Sequence, residues 1–474
     1  MRFLLIGLVV ALTSMNLSAQ KGYEINIKVE GIKDTTAFLA YYFGSGQYYR
    51  DTAEVNSKGE MKFVGKDTLA HGMYSLVYNN SKVFDILLDN QKFSMSTDTA
   101  NVIAEMEVKN SVENKIFYEY MKFLNSKQKE ARSISKKEAE AVGDDKKMYK
   151  DQLSALDTEV RAYISDFHDT YKGSFASNFI YAIEYPTVPE APKNEDGSID
   201  STFAFKYFKA HFYDNFDFSD ERLLRTSSYD EKMNYYLEKL TVPDVDSIIV
   251  SVDYILKNAA QNKTIFKYTL TKLTSKYERS ENMGMDAVFV HLGKEYFMKG
   301  KAADWFTDKQ LEKLSERVTA LDPLLIGKKA PNIVVKDTAM QKFIQLYDVK
   351  AKYTIVYIWS PECGHCKKAT PKLKTLYDKF KDRGVEVFAV GNEFENKEWK
   401  EFIIEHELNF INGSDGGDFR SNFRNLYDVF STPQTYLLDE NKVILSKKMS
   451  IESLENILDF YFKNEERKKE KTAE

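Results

Sequence analysis

Two cysteines separated by two residues are the side chains best suited to chemistry in this sequence. Cys363 and Cys366 are the only cysteines among 474 residues. The apolar run Tyr353–Trp359 before them predicts a buried strand, and apolar residues at helical spacing after them predict a helix from Cys363 to about Asp382. A pair of thiols at a strand-to-helix junction is suited to redox exchange.

The predicted start of the helix makes Cys363 the expected nucleophile. Unpaired N–H groups and the positive end of the helix dipole favour the thiolate there, which lowers the pKa of the sulfur. Cys366, one turn later, is placed to resolve a mixed disulfide. A protonated His365 would lower the pKa of the Cys363 thiol further, whereas Glu362 would raise it by like-charge repulsion. His365 is therefore a candidate tuning residue.

Other uses of the cysteine pair fit the residues less well. Covalent haem attachment needs histidine directly after the second cysteine, and Lys367 stands there. A closed zinc site needs four ligands, and no regularly spaced histidines accompany the pair. Peroxidase activity would need a peroxide-reacting cysteine in a different local setting. We therefore expect no metal and no other cofactor.

Residues 1–19 have the features of a secretory signal peptide. A basic start precedes the apolar stretch Phe3–Leu12, which is too short to span a bilayer comfortably, and small residues end at Ala19. We expect cleavage near Ala19 and a periplasmic mature protein that does not span the membrane. An uncleaved N-terminal anchor is the alternative. Because both cysteines lie in one motif, the exported chain would contain no structural disulfide.

Composition and charge narrow the class of protein. Hydrophobic residues make up 43% and aromatic residues 14% of the chain, so the sequence can build several cores, and its length predicts two to four domains. A net charge of -5 gives no field that would attract nucleic acid.

The hydrophobic pattern predicts a multidomain fold. Alternating residues predict a small antiparallel, β-sandwich-like domain over 20–105, and helical spacing predicts a mostly α region over 106–325. Strands and helices then alternate over 326–463, which predicts an α/β domain with a mostly parallel sheet flanked on both faces. Residues 464–474 form a charged tail.

Two stretches of the helical region allow alternatives. The charged segment Lys127–Lys150 has few apolar residues and fits either an exposed helix or a mobile connection. The segment Thr202–Phe218 is crowded with aromatic rings, which fit either a helical core or a partner-binding surface.

Three features in order resemble the thioredoxin fold of the TlpA/ResA-like group. They are the segment Trp359-Ser-Pro-Glu-Cys363-Gly-His-Cys366, the proline Pro371 inside the following helix, and Ser431-Thr432-Pro433 just before a strand. The resemblance extends from Ile326 to Phe462 and implies a thiol-disulfide oxidoreductase in which Cys363 attacks and Cys366 resolves. The upstream regions are similar to N-terminal regions of exported thioredoxin-like proteins from Gram-negative gut-type bacteria.

The resemblance also implies a substrate-binding role for three residues. Pro433 should be cis and lie against the cysteine pair, which would leave the backbone of Thr432 free to pair with an extended substrate segment. Trp359 would flank the site, although a purely packed ring is the alternative.

Two departures from the family pattern leave parts of the mechanism open. Many thioredoxins carry a buried acid where Tyr357 stands, and several ResA-like proteins carry a glutamate where Ala369 stands, so the proton acceptor for Cys366 is unassigned. The Gly-His dipeptide resembles that of protein disulfide isomerases and indicates a less reducing couple. The direction, as reductase, isomerase or oxidant, stays open.

The expected partners are protein thiols or disulfides, together with a membrane redox partner that recharges the pair. A different class of function is the main alternative. In that case the first 325 residues capture a partner as a binding or scaffold protein, and the redox activity is secondary.

Overall fold

A computed structural model describes residues 22–193, 195–392, 397–416 and 422–473. The expected signal peptide, residues 1–19, lies outside the described residues. The chain divides into two compact units, Met1–Thr241 with Lys257–Ile265 and Val242–Leu256 with Phe266–Glu474. The second unit therefore includes the last helices of the mostly α region together with the part that carries the cysteines.

Two four-stranded sheets form the β part of the first unit. Their strands are β1 (Tyr23–Glu30), β2 (Thr35–Phe43), β3 (Gly46–Val55), β4 (Glu60–Gly65), β5 (Gly72–Tyr78), β6 (Ser81–Leu88), β7 (Lys92–Asp98) and β8 (Glu107–Lys109). The strand orders are β4-β1-β7-β8 and β3-β2-β5-β6. Every pair in them is antiparallel except β1 with β7, which run parallel. The predicted β domain is confirmed.

Helices follow the β part, as predicted. They are α1 (Val112–Glu140), α2 (Gly143–Thr170), α3 (Phe175–Ile183), α4 (Phe203–Ala210), α5 (Ser228–Lys239), α6 (Val245–Ala259), α7 (Lys263–Glu278), α8 (Asp286–Leu292) and α9 (Asp308–Leu321). The charged segment Lys127–Lys150 lies in α1 and α2 and is mostly exposed, so the exposed-helix interpretation is the correct one. Within the described ranges, no helix combines the length and the apolarity needed to cross a bilayer.

The burial of the aromatic segment Thr202–Phe218 changes along its length, and a partner-binding role for it stays a prediction. Helix α4 at its start has no buried residue, and Phe205 is 48% exposed. The rings after that helix are buried and contact one another; they are Phe212, Tyr213, Phe216 and Phe218. The second half of the segment is therefore core, whereas the first half is surface.

The part of the second unit that carries the cysteines contains a seven-stranded sheet. Its elements are β9 (Val334–Asp337), β10 (Phe343–Gln345), β11 (Tyr353–Trp359), α10 (Gly364–Phe380), β12 (Val385–Gly391), α11 (Lys397–Glu405), β13 (Ile411–Ser414), α12 (Phe423–Leu426), β14 (Gln434–Leu438), β15 (Ile444–Lys447) and α13 (Ile451–Ala473). The strand order is β10-β9-β13-β12-β11-β14-β15.

The prediction of a mostly parallel sheet is wrong in its proportions. Only β11 with β12 and β12 with β13 are parallel, and the four remaining pairs are antiparallel. A parallel pair needs a crossover connection, which α10 supplies between β11 and β12 and α11 supplies between β12 and β13. The neighbouring pairs β9–β10 and β14–β15 are antiparallel, and β9 and β14 also run antiparallel to β13 and β11, which are distant from them in sequence.

Strand β11 lies at the centre of this domain because both of its faces are covered. Alternate residues point to opposite faces of a strand. One set, with Tyr357 and Trp359, packs against α10 and α13, and the other set, with Val356 and Ile358, packs against residues that include Phe423. The predicted cover on both faces is confirmed. The end of β11 is consequently held rigidly where the cysteine motif begins.

Phe380 offers a test of this core, because its ring is fully buried and stacks on Phe462 of α13 with centroids 5.9 Å apart. We expect Phe380→Ala to lower the free energy of unfolding by about 3–5 kcal/mol through lost burial and a cavity. Phe460→Ala removes a ring that is 59% exposed on α13 and should change it by no more than ~0.5 kcal/mol. Guanidinium unfolding followed by fluorescence of the buried Trp359 and Trp399 measures both. Equal effects of the two substitutions would contradict the packing described.

Candidate active site

A tight turn carries the chain from β11 into α10 and fixes the first cysteine. The Ser360 hydroxyl accepts a hydrogen bond from the Glu362 N–H at 3.1 Å, and the Ser360 carbonyl accepts one from the Cys363 N–H at 3.2 Å. Cys363 then caps the helix with an extended backbone, and its Sγ accepts the N–H of Cys366 at 3.4 Å. A cap position normally holds a side-chain oxygen that accepts such a bond. Here a sulfur takes that place, so the helix amides act on the thiol.

The two sulfurs lie in opposite surroundings. Cys363 is partly exposed, whereas Cys366 is fully buried. Burial alone would raise the pKa of Cys363, but hydrogen bonds from the Thr432 side chain, the Cys366 thiol and the backbone N–H groups of Cys366 and His365 hold it below its ordinary value. Burial raises the pKa of Cys366 to about 12. At neutral pH the accessible sulfur is therefore the more readily ionised one.

A cis peptide bond between Thr432 and Pro433 lies beside the pair, as the resemblance implies. The Cys363 Sγ donates to the Thr432 carbonyl at 3.1 Å, so residues 69 apart in sequence meet at the site. Strand β14 begins directly afterwards, with Gln434 paired to Ile358 of β11. The same central strand thus positions both the cysteine turn and the cis-proline segment.

Thr435 holds the other side of the cis-proline segment. Its hydroxyl donates to the Met449 carbonyl at 2.8 Å and accepts the Met449 N–H at 2.9 Å. The Lys448 N–H donates to the Thr435 carbonyl at 2.8 Å. These bonds tie the start of β14 to the chain that leads into α13.

Beneath Cys366 lies a short chain of hydroxyl groups. The Tyr357 hydroxyl and the Thr370 hydroxyl are 2.9 Å apart, and the Thr370 hydroxyl donates to the Cys366 carbonyl at 2.9 Å. Burial raises the pKa of Tyr357 well above its usual value. The position that many thioredoxins give to an acid thus holds a neutral hydroxyl on this side of the motif.

Trp359 requires a correction as a substrate-binding residue. Its side chain is 0% exposed and packs within the core beside Tyr357 and Phe402. The reason is the strand periodicity, which directs residue 359 to the same covered face as residue 357. The structure favours the packed-ring alternative, because the Trp359 ring is not accessible at the surface.

His365 acts on Cys363 through its backbone. Its side chain is exposed, and its backbone N–H is among the groups that lower the pKa of Cys363. Sequence reasoning assigned the effect to the imidazole, because a histidine next to a cysteine is visible in a sequence whereas the direction of an amide is not. A tuning role for the imidazole stays a prediction.

Ser360 and Thr370 are the residues of the site that sequence reasoning missed. Ser360 shapes the turn before Cys363, and a backbone hydrogen bond from it opposes the rise in the pKa of Cys366. Thr370 lies four residues after Cys366 on α10, the spacing at which a threonine hydroxyl reaches a helix carbonyl. That spacing is a signal readable from sequence.

A dithiol at a helix start, beside a cis-proline and on a mixed sheet covered on both faces, defines a thioredoxin-fold redox protein. Residues 326–447 match the AhpC/TSA family, and the upstream residues 124–322 and 23–117 match two domains of unknown function, DUF5106 and DUF4369. The thiol-disulfide oxidoreductase ResA of Bacillus cereus is 30% identical over 136 residues, which cover 29% of this chain and 76% of that protein. The chain belongs to the ResA-like thiol-disulfide oxidoreductases and is an oxidoreductase enzyme.

Further proteins are similar to parts of this chain. ResA of Bacillus thuringiensis is 31% identical over 129 residues, covering 27% of this chain and 72% of that protein. A domain of a possible thiol-disulfide isomerase from Cytophaga hutchinsonii is 39% identical, with a TM-score of 0.29, and covers 31% of this chain and 99% of that domain. A thioredoxin-like protein from Bacteroides caccae is 18% identical, with a TM-score of 0.45, and the match covers 58% of this chain and 99% of that protein.

The two possible actions of His365 can be separated by substitution. His365→Pro removes the backbone N–H at the second helical position, so the pKa of the Cys363 thiol should rise, and the pH profile of its alkylation by iodoacetamide should move to higher pH. His365→Ala keeps the N–H and should leave the profile close to that of the unmodified protein. Alkylation becomes faster as the thiol ionises. A lower pKa therefore moves this increase to lower pH and a higher pKa moves it to higher pH, so the pH profile shows the sign of each shift.

Mass spectrometry of the alkylated peptide assigns the reaction to Cys363. If His365→Ala moved the profile as far as His365→Pro, the imidazole and not the amide would be responsible.

Proposed function

We propose that this protein is an exported, periplasmic enzyme that exchanges disulfides with protein substrates through Cys363 and Cys366. The observation that carries the proposal is the contrast between an accessible Cys363 with a lowered pKa and a buried Cys366 whose pKa is about 12. A thiolate is the form that attacks a disulfide. One readily ionised thiol and one thiol that stays protonated suit the two successive steps of dithiol exchange.

In the first step the Cys363 thiolate attacks one sulfur of a substrate disulfide. A new sulfur–sulfur bond joins Cys363 to the substrate, the substrate disulfide breaks, and its second sulfur leaves as a thiolate. The backbone N–H groups at the start of α10 stabilise the attacking charge and are freed when the bond forms. Cys363 therefore exchanges a stabilised anion for a covalent bond.

In the second step Cys366 loses its proton and attacks the sulfur of Cys363. The substrate leaves with both sulfurs reduced, and the enzyme keeps the two oxidised sulfurs as its own disulfide. The negative charge on Cys363 is one of the causes that raise the pKa of Cys366. Formation of the mixed disulfide removes that charge, so capture of a substrate itself eases ionisation of the resolving thiol.

The segment around Thr432 is the proposed site of substrate binding. The Thr432 carbonyl accepts a hydrogen bond from the Cys363 thiol, and the Thr432 N–H has no hydrogen-bond partner among the described residues. An extended peptide can add to such an unpaired backbone edge with its disulfide next to Cys363. Pro433 keeps this edge against the cysteine pair.

The direction of disulfide exchange in the cell depends on the protein that returns the cysteine pair to its starting redox state. We propose a membrane redox partner for that role. Groups that stabilise the Cys363 thiolate favour the reduced dithiol, which makes the disulfide form a better oxidant. Together with the Gly-His dipeptide, this supports a couple less reducing than thioredoxin. Such a couple serves an isomerase or oxidant as readily as a reductase.

We propose the following organisation of the mature chain: residues 20–105 as a β-sandwich-like domain, 106–325 as a helical region, 326–463 as the catalytic domain and 464–474 as a charged tail. The separate matches to residues 23–117, 124–322 and 326–447 support boundaries near these positions.

Substitution of each cysteine by serine tests the proposed order of attack. Cys363→Ser should reduce insulin disulfide reduction by the full chain to the uncatalysed rate, because the attacking thiolate is lost. Cys366→Ser should retain attack and accumulate a mixed disulfide, because resolution is lost. Nonreducing electrophoresis and mass spectrometry identify the adduct. An adduct formed by Cys363→Ser and absent from Cys366→Ser would reverse the roles.

A further inference from the structure

A cleft lies at the opposite end of the catalytic sheet from the dithiol. It has a volume of about 1030 Å³ and is bordered by the chain before β11, the chain before β12 and the turn between β14 and β15. Tyr353 pairs with Val385 at this end of the two parallel strands, whereas Cys363 follows the other end of β11. Seven residues of strand separate the two ends, a distance of roughly 20 Å. The cleft is thus remote from the redox chemistry.

Four lysines line this cleft: Lys329, Lys350, Lys352 and Lys442. Lys352 is paired with Glu465, and the Lys329 ammonium lies 4.4 Å from the centre of the Tyr347 ring. Glu440 is the one acidic residue among those that line the cleft in the part of the chain that the structure describes. Glu465 and Asp439 lie beside these lysines without lining the cleft, and with both included four lysines face three carboxylates, so positive charge still exceeds negative charge by one.

Lys442 distinguishes the cleft from an ordinary basic surface. It is 4% exposed, and its Nζ donates to the hydroxyl of Thr354 at 3.1 Å. Among the described residues it makes no ion pair. The Oδ1 of the nearby Asp439 accepts hydrogen bonds from the N–H groups of Asn441 and Val443, each at 2.8 Å.

A buried ammonium held by one neutral hydroxyl is costly unless an anion compensates it. Burial, together with the neighbouring charge of Lys350, lowers the pKa of Lys442, and Asp439 only partly opposes this. An anion in the cleft would satisfy Lys442 and Lys350 at the same time. Surface lysines alone are well solvated, so their charge would need no bound anion to compensate it.

We propose that the cleft binds a compact anion with at least two negative charges. Lysines act as point charges and accept either phosphate or carboxylate oxygens, since they lack the planar fork by which arginine selects its partner. The shared chemistry is therefore a polyanion of the size of pyrophosphate or citrate. The exposed edge of Tyr347 and the lysine stems would contact its less polar part.

Calorimetric titration of the full chain with pyrophosphate and with citrate, at low ionic strength, tests this site. We expect saturable binding at one site, weakened at least tenfold by Lys350→Glu. Lys342→Glu makes the same charge change at another exposed lysine of this domain, outside the cleft, and should weaken binding less than twofold. Tighter binding of pyrophosphate or of citrate shows which oxygen chemistry the site prefers.

Lys442→Met provides a second variant, since it removes the buried charge and keeps most of the side-chain volume. It should abolish the saturable binding while insulin reduction by the same protein stays unchanged. Failure of both anions to saturate, or equal weakening by Lys350→Glu and Lys342→Glu, would overturn the site and show only a diffuse positive field. Because insulin reduction is measured separately, that outcome leaves the redox proposal unaffected.

Discussion

The structure depends on one electrostatic asymmetry between two sulfurs a single helical turn apart. Cys363 sits where hydrogen bonds from the Thr432 side chain, the Cys366 thiol and the backbone N–H groups of the helix start stabilise its thiolate, and Cys366 sits inside the core. The same helix start therefore stabilises a negative charge at one position and excludes it at the next. A pair of identical side chains acquires two different roles without any charged residue between them.

The surrounding fold maintains that asymmetry. Strand β11 is buried on both faces, and the turn at Ser360 that follows it places Cys363 at the N-cap of α10. Strand β14 pairs with β11 and brings Thr432 to the sulfur from a distant part of the sequence. On the buried side, Tyr357 and Thr370 close the space beneath Cys366 with hydroxyl groups. The basic cleft at the far end of the sheet uses the same strands for an unrelated purpose.

Local patterns in the sequence are sufficient to predict the strand, the helix and the position of Cys363 at the helix start, because each depends on neighbours within a few residues. The cis-proline and the contact of Thr432 with the pair depend on a long-range strand pairing, and only the family resemblance supplied them. The mixed sheet and the action of His365 through its N–H were not predictable in this way, and the sequence left the surroundings of the Trp359 ring open between two alternatives. Each depends on which face of an element is covered or on where an amide points, and residue type does not encode that.

Carbon-13 NMR of the two cysteine Cβ atoms, recorded as a function of pH on the reduced full chain, measures the central asymmetry directly. We expect the Cys363 signal to titrate below the range of an ordinary thiol, while Cys366 stays protonated until about pH 12. Two signals that titrate together in the ordinary range, or ionisation of Cys366 first, would contradict it.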